Sequence, residues 1–428
     1  MEKKDYKIHI IGAGMSGLTA AMVLENNGYS PVIIEATDRV GGRVKTDVVE
    51  GYQLDHGFQV LLTAYPAVQK YLDLDALELQ RFLPGAAIFR NGKQNIIGDP
   101  LRDSSLLFPT LFSGIGRLSD KIKILTLNRR LKKKSLSEIF SEKEQSTLSY
   151  LMNLGFSFQM IDHFFAPFFS GIFLENKLDT SSRMFEFVYK MFGEGYAALP
   201  KSGIEAVPKQ MAQKLKNTTF KFDTKVVSIK DGEIELFGNK KLESHFTIVA
   251  TNTSNLIPNL KNQLIEWKSC DTLYFETKKR TIKKPLIGLV PEYNTLINNI
   301  FFHTSLETTV KTDRELLSVT VVDNQNLTDG VLIESVQREL KEHCGIDSCK
   351  FIKQYKIPMA LPRLNNIQYE MSPTETRLTE TIFLAGDTQL NGSLNAAMIS
   401  GERAALGVLQ TLSSTISPET ISSGTIRK

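Results

Sequence analysis

Cysteine is scarce in this chain. Cys270, Cys344 and Cys349 are the only three among 428 residues, an odd number without metal-ligand spacing. That fits a reducing compartment better than a disulfide framework, suggests neither a zinc site nor a redox pair, and leaves no metal expected. Net charge is nearly absent too. Lys and Arg outnumber Asp and Glu by 51 to 47, a formal +4, too mild and dispersed to make nucleic acid a partner. Long apolar runs are also missing: the most apolar stretch, Phe164 to Leu174, falls well short of the roughly 20 residues that span a bilayer, so any membrane contact is peripheral. The residues ahead of the first strand, Met1 to Lys7, are charged and leave no room for a secretory or transit segment, which predicts a cytoplasmic protein. With 42% apolar and 23% charged residues there is no bias toward disorder or repeats. Composition therefore excludes classes of function without choosing one.

Length predicts two domains, since single cores stop growing beyond about 250 to 300 residues. The first motif is Ile8 to Ile11, a short apolar run leading into Gly12, Gly14 and Gly17 and then the helical pattern Leu18 to Glu25. Asn27 and Gly28 end the helix, and Pro31 to Ile34 forms a second strand closed by Glu35. This is a βαβ unit in which Gly12 permits the bend, Gly14 lets a pyrophosphate approach, and Gly17 packs helix on strand. The helix N-terminus offers N–H groups and a positive dipole end to phosphates. Glu35, 18 residues after Gly17, can accept from both ribose hydroxyls and would repel a 2′-phosphate, which leaves NAD or FAD.

Further strands are predicted at Phe220 to Phe222, Val226 to Ile229, Glu233 to Leu236 and Phe246 to Ala250. Others follow at Thr272 to Glu276, Leu286 to Val290, Ile300 to His303, Leu316 to Val322 and Ile382 to Ala385. Helices are predicted at Leu332 to Lys341 and Asn395 to Gln410, and residues 91–201 read as mainly helical.

The segment Asp38, Arg39, Val40, Gly41, Gly42, Arg43 closely resembles the signature of the flavin amine oxidase superfamily, which includes amine oxidases, protoporphyrinogen oxidases and carotenoid desaturases. Phe383, Leu384, Ala385, Gly386, Asp387 resembles its closing motif, and Thr247 to Thr251 the strand and turn beside the cofactor. The resemblance implies an α/β fold, with a Rossmann-type, glutathione-reductase-like FAD-binding domain and an inserted α+β substrate domain. It implies FAD contacts at Gly12, Ala13, Gly14, Met15, Ser16, Gly17, Glu35, Ala36, Gly42, Arg43, Gly57 and Phe58. Val226 would meet adenine through its backbone, and Gly386 and Asp387 the ribityl or diphosphate portion. The helix start at Asn395, Ala396, Ala397 and Met398 would face the flavin pyrimidine ring. One departure is Thr37, where the superfamily usually has Arg.

The expected division is a discontinuous FAD-binding domain (1–85, 201–265, 366–412), a substrate domain (86–200 helical, 266–365 sheet-containing) and a disordered tail (413–428). Amine oxidases place a Tyr of their aromatic cage where this chain has Ser393. In contrast, Ser393 to Ala397 with Ser400 and Gly401, and Gly57, Phe58, Gln59 with Ala64, Tyr65, Pro66, are similar to plant and cyanobacterial phytoene desaturases. The Phe-rich insertion, from Phe156 to Phe192, is either an aromatic core or a tunnel for a small apolar substrate such as a polyene. The basic run Arg129, Arg130, Lys132, Lys133, Lys134 is either a solvated helix face or, with Leu106 to Phe112, a contact with an anionic membrane surface. No second glycine fingerprint exists, so the electron acceptor is expected to be small, a quinone or O2. His56 could donate to the flavin or substrate, but is expected first to be a hydrogen-bonded structural residue, and no catalytic acid or base is assigned. Three functions stay open: desaturation of an apolar substrate, oxidation of an amine or porphyrinogen by O2, and flavin binding without turnover.

Overall fold

Ile8–Ile11 is buried at all four positions because it is the middle of a parallel sheet with both faces covered, the setting in which a strand reads as a continuous apolar run. The structure, a computed structural model, describes residues 2–254, 256–257, 260, 265–309 and 313–416. It divides into two compact units, Met1–Gly42 with Pro208–Ile265 and Gln368–Lys428, and Arg43–Val207 with Glu266–Ile367.

In the first unit five parallel strands lie in the order Thr219–Lys221, Val32–Ile34, Ile8–Ile11, Phe246–Val249, Ile382–Leu384. Ile10 is in register with Ile33 on one side and Ile248 on the other, and all three are fully buried. Each such burial contributes roughly 1.5–3 kcal/mol. A small antiparallel sheet, Val226–Lys230, Glu233–Leu236 and Lys241–Glu243, adds Val226, Ile229 and Ile234 to a cluster with Ile11, Ile34 and Val249. The first helix, Met15–Asn26, and the last, Leu394–Ile416, meet so closely that a Cβ at Gly401 would lie 2.1 Å from the Ser16 carbonyl oxygen.

The second unit holds a seven-stranded sheet in the order Cys349–Pro362, Trp267–Thr277, Glu315–Val321, Ile297–Phe302, Ile287–Leu289, Gly85–Arg90, Lys93–Gly98. The helix Asp329–Cys344 sets Leu332, Val336 and Leu340, spaced by four residues, onto Phe275, Ile300, Phe302 and Val319. Its buried Glu339 accepts from the Leu296 and Ile297 amides at 2.9 and 3.2 Å, and Gly345 ends it in the left-handed conformation.

Three expectations change. Residues 43–85 belong to the second unit, because their strands pair there: Leu61–Leu62 and Leu79–Arg81 flank Ala197–Pro200, and Gly85–Arg90 runs parallel to Ile287–Leu289. Residues 86–200 are not purely helical, since Lys93–Gly98 closes one edge of the large sheet. The final helix continues through Ile416, past the expected end at 412, and residues 417–428 lie outside the described residues.

The Phe-rich segment is a core with a partly exposed rim. Phe165, Phe169 and Phe173, four residues apart, are buried with Phe185; Phe169 and Phe185 have ring centroids 4.6 Å apart. Phe164, Phe168 and Phe192 are half-buried and form a row with centroid spacings of 5.7 and 5.5 Å. The basic run is not simply a solvated face: Lys134 and Arg130 reach buried Glu186 at 2.5 and 3.2 Å, and Tyr150 donates to the same carboxylate.

Candidate functional site

Gly12, at φ 105°, ends the first strand in a turn so tight that a Cβ there would lie 2.9 Å from the Ala250 carbonyl oxygen. The chain then enters Met15–Asn26 with Gly14 as N-cap and no acidic residue in the first turn, so the positive end of the dipole is not neutralised. Gly41 N–H donates to the Ala13 carbonyl at 2.9 Å, and Gly14 and Gly41 form an isolated parallel bridge. The two glycine motifs, 12–17 and 41–42, are thus one cradle. A Cβ at Gly42 would approach Gly14 Cα to 3.3 Å, and the space beside Gly14 is otherwise open, its own Cβ meeting nothing nearer than 4.0 Å. A pyrophosphate fits such a surface of backbone N–H groups.

Glu35 locks this cradle. Its carboxylate accepts from the Ala13 amide at 2.8 Å, the Thr37 amide at 2.9 Å and the Thr37 hydroxyl at 2.8 Å. Three donors leave roughly one of four lone-pair directions for a ribose hydroxyl. Thr37, the departure from the family pattern, thus orients the acid beside it, a role its sequence position alone did not signal. Ala36 is exposed next to it, and Val226 is buried at the start of its strand, paired with Leu236.

The chain returns from the other end. Ala385 N–H continues the sheet by donating to the Val249 carbonyl at 2.9 Å, and Gly386 takes φ 136° at the entry to the turn Asp387–Gln389. Asp387 is buried. Ser400 then ties three elements together: its hydroxyl accepts from the Gly386 amide at 2.9 Å, donates to the Ala397 carbonyl at 2.9 Å, and lies 3.4 Å from Ser16 Oγ. Ser393 caps the last helix, its hydroxyl accepting from the Ala396 amide at 3.0 Å and donating to Asn391 Oδ1 at 2.7 Å. Asn395, Ala396 and Met398 are fully buried and Ala397 is partly exposed.

Arg43, Gly57 and Phe58 belong to the second unit. Arg43 donates to the Ala360 carbonyl at 3.1 Å and lies over the ring of Trp267, 5.2 Å from its centroid. Gly57, at φ 100°, faces Ile357, whose Cδ1 would stand 2.9 Å from a Cβ. Phe58 packs against Phe82 and Phe301 at 6.1 and 5.4 Å. His56 is hydrogen-bonded, as expected: Nε2 meets Asp47 Oδ2 at 2.8 Å, Tyr355 donates to the same oxygen at 2.9 Å, and the two rings lie 4.4 Å apart. The adjacent Asp55, buried, accepts from the Thr46 hydroxyl at 2.6 Å and the Ile204 amide at 3.1 Å. Burial pushes its carboxyl up to about 6. Asp47 and Tyr355 were not singled out by the sequence, since only the hairpin Thr46–Val49/Tyr52–Asp55 and the neighbouring strand set them beside His56. Among the described residues no group of three or more His, Cys, Asp or Glu could hold a metal ion.

Residues 15–409 match the family described as flavin-containing amine oxidoreductase. Among curated relatives, the L-amino-acid oxidase BmooLAAO-I of Bothrops moojeni is 31% identical over 153 residues, 34% of this chain and 29% of that protein. The chain matches under a third of the length of the first such relatives. Among solved structures, an oxidoreductase from Methanosarcina mazei superposes with a TM-score of 0.69 at 16% identity, covering 94% of this chain and 100% of its own. The cyclohexylamine oxidase of Brevibacterium oxydans IH-35A gives 0.68 at 13% identity, covering 96% and 100%. At such identities the likeness shows the fold alone.

Proposed function

The chain belongs to the flavin-containing amine oxidoreductase family and its cofactor is FAD, and from that premise we propose that it dehydrogenates an apolar, polyene-like or isoprenoid-like substrate lying at a membrane surface. The observation that carries this reading is Ser393. Where the resemblance to amine oxidases would put a Tyr wall of an aromatic cage, this chain spends the side chain on capping the last helix.

When bound, FAD would supply a two-electron acceptor for a hydride from one substrate carbon, the adjacent carbon losing its proton to solvent as the double bond forms, and a small acceptor, a quinone or O2, would take the electrons on. The protein's own part is to hold and orient. In this reading the 12–17 turn and Gly42 receive the pyrophosphate, Glu35 a ribose hydroxyl, Val226 the adenine, and Asp387 the ribityl or diphosphate portion. The capped start of Leu394–Ile416 brings a positive helix end to where negative charge develops. A C–H bond without polar neighbours offers few handles, so positioning and exclusion of water dominate.

A second reading is favoured by the relatives: the Bothrops protein is named an L-amino-acid oxidase and the Brevibacterium protein a cyclohexylamine oxidase. Amine oxidation by O2 would follow from kinship with them. Anaerobic titration of the FAD-loaded protein separates the readings. Loss of the oxidised-flavin absorbance with a polyene, restored by a quinone, is the expected result. Loss only with amines, and peroxide on admitting air, would give the case to the second reading. A flavin that neither class reduces would make this a flavin-binding protein without turnover.

A further inference from the structure

The short helix Leu107–Phe112 and the first turns of the next, Leu118–Lys133, set apolar side chains outward and a polar one inward, while further along the second helix Leu127 and Leu131 are buried in the ordinary way. In the short helix Leu107–Phe112 the polar side chain points inward: Thr110 is buried, accepting from the Gly98 amide at 2.9 Å and donating to the Gly98 carbonyl at 3.1 Å. Its apolar side chains point out, with Phe108 68% and Phe112 80% exposed. In Leu118–Lys133 the acid Asp120 is fully buried, accepting from the Arg117 amide at 2.7 Å and from Ser157. Leu118 and Ile122 face outward at 66% and 58%. A helix end folded against a core for water alone does the reverse, and large apolar side chains left exposed in neighbouring segments point to an interaction surface.

Charge says what covers it. Residues 104–134 contain eight Lys and Arg against the single acid Asp120, which is internal. On the long helix the outward stripe continues from Leu118 and Ile122 to Arg129, Lys132 and Lys133, at offsets of 11, 14 and 15 residues that return to the same face. Apolar tips at one end of a stripe and cations at the other fit a bilayer interface carrying negative headgroups. A second copy of the chain would set two like-charged faces against each other.

We propose that residues 107–133 dock the protein on an anionic lipid bilayer, with Phe108, Phe112, Leu118 and Ile122 entering the acyl boundary and Arg129, Lys132 and Lys133 meeting the headgroups. This deepens the proposed reaction and rests on it for the bilayer's role as the reservoir of apolar substrate. The docking itself stands on exposure and charge.

The test is co-sedimentation of the FAD-loaded protein with vesicles of phosphatidylcholine alone or mixed with phosphatidylglycerol. Pelleting is expected with the mixed vesicles and not with phosphatidylcholine alone. F108S/F112S/I122S and, separately, K132E/K133E should each weaken binding by about tenfold or more while keeping the flavin content of the parent. Failure of the parent to pellet with phosphatidylglycerol, or unchanged binding by either variant, would overturn the proposal. So would a dimer in sedimentation velocity that F108S/F112S dissolves, which would hand the face to a second copy. Flavin reduction by a polyene in detergent micelles, run in parallel, keeps the two readings apart: docking without reduction sinks the reaction, and reduction without docking sinks the surface.

Discussion

His9 sits in the first parallel strand with a ring nitrogen, Nδ1, 2.9 Å from Ser244 Oγ, and burial, aided by Lys221, Lys7 and His245, lowers its pKa from 6.5 to about 4. Asp55, in the other unit, moves the opposite way, from 3.8 to about 6, chiefly by burial. The signs differ accordingly. For His9 the folded pKa is depressed, so its contribution is complete above about pH 6.5 and is lost as pH falls toward 4. For Asp55 the folded pKa is raised, so its contribution is complete below about pH 4 and is lost as pH rises through 6. Each is worth on the order of 3 kcal/mol. Asp55→Asn keeps a side-chain oxygen for Thr46 and Ile204 and removes the buried charge. It should therefore gain on the parent progressively between pH 4 and 6, whereas His9→Val should remove part of the acid-side loss. Urea unfolding of the three proteins across pH 4 to 7 reads this directly, and an Asp55→Asn curve parallel to the parent's would show that the carboxyl does not titrate there.

The first and last helices meet backbone to backbone at Gly401, and the atom a new methyl would strike, Ser16 O, belongs to a helix and has nowhere to go. Gly401→Ala should push the helices apart beside Ser16, Ser400 and Gly386, costing about 3 kcal/mol and lowering the fraction of protein that purifies with flavin. Thermal unfolding and the ratio of flavin to protein absorbance measure both. Elements of this kind were legible in part. Ile8–Ile11, Phe246–Val249 and Ile382–Leu384 are buried on both faces and announce themselves as apolar runs, and the glycines around them mark the turns. Cys349–Pro362 did not, because it is a sheet edge: Lys350, Lys353, Lys356 and Pro358 blunt pairing there and erase the alternation. Lys93–Gly98 is the opposite edge and was hidden for the same reason. At the site, spacing singled out Glu35 and the family resemblance singled out Asp387. The reach of Ser400 to Gly386, and of Tyr355 to Asp47 across 308 residues, exists only once the chain is folded.

The first unit is drawn from three separated segments, and its sheet pairs residue 8 with 246 and residue 247 with 382. Each pairing closes a loop of 135 residues or more before any contact compensates for the lost entropy. Most of the residues expected to hold FAD are divided among the same three segments, 12–17 and 35–42 from the first, Val226 from the second and 386–398 from the last, with Arg43, Gly57 and Phe58 in the second unit. A ligand that needs all three binds the folded unit and not the open chain, so it stabilises by mass action, by about 4 kcal/mol at a thousandfold excess over its Kd. Hydrogen exchange on the apoprotein and on protein reconstituted with FAD should therefore differ most in Ile8–Ile11, Phe246–Val249 and Ile382–Leu384, where the slowest amides slow by up to about a thousandfold. The helix Asp329–Cys344, buried in a core of its own, provides the internal reference. Little change there would mean that the cofactor holds together the unit whose chain segments it joins; an equal slowing would mean that both units open as one.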